Sequence, residues 1–184
     1  MLEDYRRFPI GIQNFEQLRN NNCVYVDKTE LIYRLTHTDQ VYFLSRPRRF
    51  GKSLLVSTLE AYFRGKRELF EGLAMERLER EWDAYPVLHI DFSLTKYTEV
   101  SELTEQLNLF LSRWEEEYGK NESEETPAAR LQGILMRAYK QTGKPVVVLI
   151  DEYDAPLLDS NSDAALQQQL RTEMRKFFSP LKGL

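Results

Sequence analysis

The nine residues Ser-Arg-Pro-Arg-Arg-Phe-Gly-Lys-Ser, 45–53, carry the densest chemistry in the chain. Gly51, Lys52 and Ser53 close the pattern G-x-x-x-x-G-K-[ST], in which glycine lets the backbone approach phosphate oxygens, lysine reaches the β- and γ-phosphates and the hydroxyl ligates Mg²⁺. Arg46 stands where that pattern has its first glycine. The tripeptide alone is a weak signal, because ordinary composition produces it by chance. A second constellation adds weight: Asp151 and Glu152 directly follow Val-Val-Val-Leu-Ile, residues 146–150. A strand ending there delivers its last side chains to the carboxyl edge of a sheet, where open α/β folds bind ligands. In this Walker B profile Asp151 orients the Mg²⁺ shell and Glu152 polarises the water that attacks the γ-phosphate. The expected cofactors are therefore ATP and Mg²⁺. The expected catalytic residues are Lys52 and Glu152, and the expected metal ligands are Ser53 and Asp151. The expected nucleotide-binding segment is Arg46, Pro47, Arg48, Arg49, Phe50, Gly51, Lys52, Ser53 and Leu54.

Both motifs need strands and a helix to position them. Val41 to Leu44 is a short apolar run bounded by polar residues and reads as the first core strand. From Lys52, Leu54, Leu55, Thr58, Leu59 and Tyr62 share one helical stripe that stops at Gly65. Strand, loop, helix is the order a phosphate-binding loop requires. Pro86 to Ser93 reads as a second strand, Glu102 to Tyr118 as an amphipathic helix, and Pro127 to about Thr142 as another. Residues 146–150 read as a strand covered on both faces, and a last helix runs from about Asp163 to Phe178. Upstream, Phe15 to Leu18 begins a short helix, Val24 to Val26 a short strand, and Asp27 or Thr29 caps a helix carrying Leu31, Ile32 and Leu35. Residues 66–82 read as short surface helices. Alternating strands and helices predict an α/β domain with a mainly parallel sheet flanked by helices.

Composition narrows the function classes. The chain has 184 residues, 42% hydrophobic, and 25 basic against 29 acidic side chains give a net charge of -4. That length suits one domain, and the charge argues against broad nonspecific attraction to nucleic acid. The longest aliphatic run is far short of the roughly 20 residues that span a bilayer. The single cysteine, Cys23, cannot form an internal disulfide, and the start lacks a secretory pattern, so a soluble, cytoplasmic protein is expected. His37 reads as a surface loop residue and His89 as a satisfied strand residue. Neither has a second histidine or cysteine at zinc-ligand spacing.

The stretches YVDKTELI, YFLSRPRRFGKSL, PVLHIDFS and VVVLIDEYDAPL resemble the AAA-ATPase-like family of bacterial and archaeal proteins across almost the whole chain. The resemblance implies a P-loop NTPase of the additional-strand class. It also implies that RPRRFGKS is the family's own form of the loop, so Arg46 is a family feature. Members often carry a C-terminal nuclease-like domain of the PD-(D/E)XK type, which makes such a domain the expected partner and the only route to nucleic acid. It further implies that a sensor-bearing strand, a fifth strand and a helical portion should come next. The expectation is therefore an N-terminal part of the domain, residues 1–40 a lead-in and 41–184 an incomplete nucleotide-binding core truncated before the sensor strand. Without a strand between those carrying the two motifs, a gap of nearly 10 Å, two strand spacings, would separate the halves of the site. Such a chain is expected to hydrolyse ATP poorly and to associate through unpaired strand edges.

Around the loop, Arg46, Arg48 and Arg49 either bond the nucleotide or hold the loop by pairing with Asp151, Glu152 or Asp154; a side chain replacing the first glycine should point away from the phosphates, which favours holding. Asp27, Lys28 and Thr29 either approach base and ribose or cap a helix. Two functions fit: an Mg²⁺-dependent ATPase coupled to a partner or following domain, and a nucleotide-responsive interaction module with little hydrolysis. Glu152 favours the first. A small-molecule phosphotransferase is a weaker third, because nothing suggests an acceptor pocket or lid.

Overall fold

The computed structural model describes residues 6–38, 41–45, 47 and 49–183, and divides into two compact units, residues 1–87 and 88–184. The first unit is helical: α1 Phe15–Asn20, α2 Thr29–Thr36, α3 Lys52–Phe63 and α4 Ala74–Leu78, with a 3₁₀ turn at Arg67–Phe70. Phe15, Ile32, Ala61, Leu69, Phe70, Leu73 and Met75 form its core, with Leu54, Leu55, Leu59 and Tyr62 of α3 packed against them. Of the stripe read from the sequence only Thr58 is fully buried; Leu54, Leu55, Leu59 and Tyr62 are partly buried, and Ser57 and Ala61 are the other buried positions of α3. Two side-chain hydroxyls tie the unit together across long stretches of chain. Ser57 Oγ accepts from the Phe15 backbone N–H at 3.0 Å, and Thr29 Oγ1 accepts from that of Met75 at 3.0 Å.

Two expected strands do not form among the described residues. Val24 to Val26 lies outside any ladder, and the only pairing there is an isolated bridge between Arg7 and Cys23. Val41 to Leu44 is likewise outside a ladder, with Val41 and Phe43 86% and 84% exposed. An apolar run becomes a strand only when a neighbour takes its backbone N–H and C=O groups. Here the described contact is a Tyr42 hydroxyl donating to the Leu35 carbonyl at 2.7 Å.

The second unit holds the α/β arrangement. Strands β1 Val87–Asp91, whose first residue belongs to the first unit, and β2 Val147–Asp151 pair as a small parallel sheet. Helices α5 Val100–Tyr118 and α6 Pro127–Thr142 connect them, and α7 Ala155–Asp159 and α8 Ala164–Phe177 follow. The helix boundaries have local causes. Glu99 and Glu102 form a reciprocal capping box on α5, Thr126 caps α6 with Pro127 in its first turn, Gly143 ends α6 at φ 65°, and Asp163 caps α8. Leu88, Ile90, Leu103, Phe110, Leu111, Ile134 and Leu170 belong to one core, against which Val148 and Ile150 pack.

Strand period therefore divides the sheet cleanly. Leu88, Ile90, Val148 and Ile150 face this core, while His89 and Asp91 of β1 and Val147, Leu149 and Asp151 of β2 share the opposite face. The expectation of a strand covered on both faces does not hold for β2, where residues 147–150 are all only half-buried.

Candidate functional site

In the first unit, the loop meets α3 through two left-handed residues, Arg49 at φ 68° and Gly51 at φ 73°, ψ 27°. Gly51 is the N-cap of α3, and no side chain caps the helix. The first intrahelical bond is Leu55 N–H to the Gly51 carbonyl at 2.9 Å, so the N–H groups of the first turn stand ahead of it at the positive end of the helix. A Cβ built on Gly51 meets no atom within 4 Å. Arg49 and Gly51, both left-handed, thus precede a helix of 12 residues whose first turn has no side-chain cap, the kind of helix start at which anions bind in general.

Lys52 and Ser53 are the first two residues of α3, both half-buried; Arg49, Phe50 and Pro47 are exposed. Leu54 packs its side chain against the core, which leaves its backbone N–H as its means of contributing to the site. Arg46 and Arg48, expected in the nucleotide-binding segment, lie outside the described residues. The motif YVDKTELI resolves as a structural staple. Asp27 Oδ1 accepts from the Thr29 N–H at 2.8 Å and hydroxyl at 2.7 Å, while Oδ2 accepts from the Ala74 N–H at 2.7 Å. Thr29 is fully buried. The helix-start alternative accounts for this segment.

The acidic half is built in the second unit. Asp151 ends β2 and is 6% exposed, and its Oδ1 accepts from the Glu152 N–H at 3.0 Å. Glu152 takes a left-handed backbone, φ 49°, which ends the strand, and its carbonyl accepts from the Ala155 N–H at 2.9 Å as α7 begins. Asp154 is exposed, and its carbonyl accepts from Leu157 and Leu158 at the start of α7.

Sequence reasoning passed over Asp91. It ends β1 as Asp151 ends β2, on the same face of the sheet, and its Oδ1 accepts from the Ser93 N–H at 2.8 Å. The shared endings Leu-His-Ile-Asp and Val-Leu-Ile-Asp were the available signal. Nearby Tyr97 is completely buried with no hydrogen-bond partner for its hydroxyl. Burial first, then the charges of Asp91, Asp159 and Glu102, push its phenol well above the ordinary tyrosine range.

Ser53 in the first unit and Asp151 in the second each offer oxygen, the donor type Mg²⁺ takes, and among the described residues no group of three or more His, Cys, Asp or Glu side chains could hold a metal alone. Mg²⁺ typically takes one or two protein carboxylates and completes its shell with phosphate oxygens and water.

An α-helix that opens at a left-handed glycine without a side-chain cap and continues Lys-Ser, and a half-buried strand that ends in Asp-Glu, are the features this α/β chain presents. The chain belongs to the family described as "Predicted AAA-ATPase", which it matches over residues 9–184. It is 35% identical over 181 residues to a protein of Azotobacter chroococcum mcd 1 described as "Uncharacterized protein in vnfD 5'region", covering 96% of this chain and 34% of that protein. The chain thus spans about a third of the length of that relative. No solved structure matches it. None of the described helices is long and apolar enough to cross a membrane.

Proposed function

We propose that this chain supplies the P-loop nucleotide site of an Mg²⁺-dependent ATPase, whose hydrolysis is coupled to a partner or to a C-terminal domain. The observation that carries the reading is the left-handed turn at Gly51, which opens α3 without a side-chain cap and sets Lys52 and Ser53 in its first turn. Backbone amides from Gly51 to Leu54 cradle the phosphates, Lys52 neutralises the β- and γ-phosphate charge, and Ser53 and Asp151 hold Mg²⁺. When bound, the ion neutralises charge on the phosphate oxygens. Glu152 accepts a proton from the attacking water, and the strained turn that carries it fixes where the carboxylate can reach.

The test is made on the complete protein. Glu152→Gln retains nucleotide affinity and lowers turnover by roughly 10²–10⁴-fold, the usual contribution of a general base. Lys52→Ala loses affinity itself. Wild-type protein that binds ATP with no measurable turnover would replace hydrolysis with a nucleotide-responsive switch. Wild-type protein that binds no nucleotide would end the reading.

A further inference from the structure

Glu152 keeps a left-handed backbone, φ 49°, which a glutamate holds only where its surroundings enforce it. Two backbone bonds bound that turn. The Asp151 carboxylate accepts from the Glu152 N–H at 3.0 Å, and the Glu152 carbonyl accepts from the Ala155 N–H at 2.9 Å. Between them stands Tyr153, 40% exposed, whose ring packs on that of Phe178 with centroids 5.8 Å apart at 46°. Phe178 is itself fixed. It is the C-cap of α8, its N–H donates to the Met174 carbonyl at 3.0 Å, and its carbonyl accepts from the Leu181 N–H at 3.2 Å. Its ring meets Phe92 at 6.2 Å and Phe177 at 5.0 Å, both edge-on and both buried in the core of the same unit. Aromatic pairs at such separations attract each other beyond the area they bury. A tyrosine tied to a close-packed anchor limits how far the backbone of the preceding residue can relax.

We propose that Tyr153 and Phe178 clamp the turn after β2: Phe178, seated on the core, holds the Tyr153 ring and so keeps Glu152 in the left-handed conformation that sets where its carboxylate reaches. This rests on the nucleotide reading above, in which Glu152 takes the proton of the attacking water. Both are positioning residues, acting through the backbone of residue 152. Clamp, anchor and carboxylate all belong to the second unit.

The test measures ATP turnover, ADP affinity and amide hydrogen exchange on the complete protein. Tyr153→Ala removes an exposed ring and leaves the core residues in place. It should lower kcat by about 10–100-fold, the effect of a small misplacement of a catalytic group, with KM and ADP affinity at their wild-type values. Tyr153→Phe keeps the ring and should keep wild-type kcat; a loss as large as that of Tyr153→Ala would assign the role to the hydroxyl and overturn the clamp. Phe178→Leu keeps apolar bulk against Phe92 and Phe177 but removes the aromatic partner. It should lower kcat in the same way, and the double variant should lose no more than the worse single, because both break one contact. Losses that multiply, or wild-type kcat in Tyr153→Ala, would overturn the inference. Exchange of the Glu152 and Ala155 amides, whose bonds bound the turn, should quicken in Tyr153→Ala while α5 and α6 keep their protection. Unchanged exchange at both amides would also overturn it. Wild-type protein that binds ADP and turns over no ATP removes the hydrolytic reading instead, and the exchange comparison then decides the clamp by itself.

Discussion

Gly51→Ala separates the chemistry of the loop from its stability. At φ 73°, ψ 27° an added Cβ is strained by the backbone alone, since it meets no atom within 4 Å. Alanine in the left-handed region costs about 1–2 kcal/mol. Reduced freedom of the unfolded chain returns about 0.4–1 kcal/mol, so the net loss is about 1 kcal/mol. For a chain of this size that lowers the melting temperature by roughly 2–4 °C. Gly143 is the matched control: φ 65°, ψ 9°, no atom within 4 Å of a built Cβ, and a position at the end of α6 in the other unit. Gly143→Ala should destabilise by the same amount. The two variants diverge on nucleotide. A methyl group at Gly51 enters the space the phosphates need, and losing two charge-assisted amide bonds at about 1.5–3 kcal/mol each weakens binding by roughly 10²–10⁴-fold. The assay is a fluorescent-ADP titration beside thermal melting of both variants. Wild-type affinity in Gly51→Ala would refute the phosphate cradle, and equal loss in Gly143→Ala would show that binding follows global stability.

Two further outcomes follow from the packing. Arg130 makes a two-pronged bond to Glu115, at 2.6 and 2.8 Å, and a third to Asn108 at 2.6 Å, with the two charged side chains only 16% and 7% exposed. Arg130→Met strands a buried carboxylate and should cost about 3–5 kcal/mol at pH 7, read by denaturant unfolding. The arginine's hydrogen bonds, opposed by burial and aided by its charge, hold the Glu115 carboxyl below its ordinary range. A depressed folded-state value stabilises above the unfolded value, about 4.3, and that stability is lost as pH falls through the folded one. In Arg130→Met burial dominates and the sign reverses, so acidification toward pH 4 should recover stability; pH profiles parallel to wild type would refute this. Asp27→Ala removes the carboxylate that accepts from the Thr29 and Ala74 N–H groups at the starts of α2 and α4 and should cost about 1–3 kcal/mol while leaving nucleotide affinity unchanged. A specific loss of affinity in a folded variant would restore the base-and-ribose reading of that segment.

What the sequence made legible was local. Thr126 with Pro127, Gly143, Glu99 with Glu102 and Asp163 are boundary signals within a few residues of the helices they delimit, and α5, α6 and α8 follow them closely. The Val and Ile run of β2 announces a strand for the same reason. What needed three dimensions was unreadable. Whether Val41 to Leu44 is a strand depends on a neighbour and not on its own residues. The Asp27 bond to Ala74 spans 47 positions, and that of Thr29 to Met75 spans 46. Asp91 gains meaning only once β1 and β2 are neighbours and their faces are known. Among the candidate residues, Gly51, Lys52, Ser53, Asp151 and Glu152 were legible because each motif fits within one turn of chain.

The distribution of backbone strain gives these short motifs their force. Among the described non-glycine residues, Asn22, Arg49 and Glu152 have positive φ. Asn22 needs no special account, because asparagine adopts the left-handed region readily. Arginine and glutamate do not, and a glycine or asparagine at either position would fold at lower cost. Strain of about 1–3 kcal/mol persists where the surrounding structure enforces it, and such residues cluster at functional sites. Here the two costly conformations fall on the loop that precedes Gly51 and on the acid that follows Asp151, in separate units of the chain. Positive φ at Arg49 and Glu152 therefore marks, independently of the motifs, two positions where the surrounding structure enforces a costly backbone.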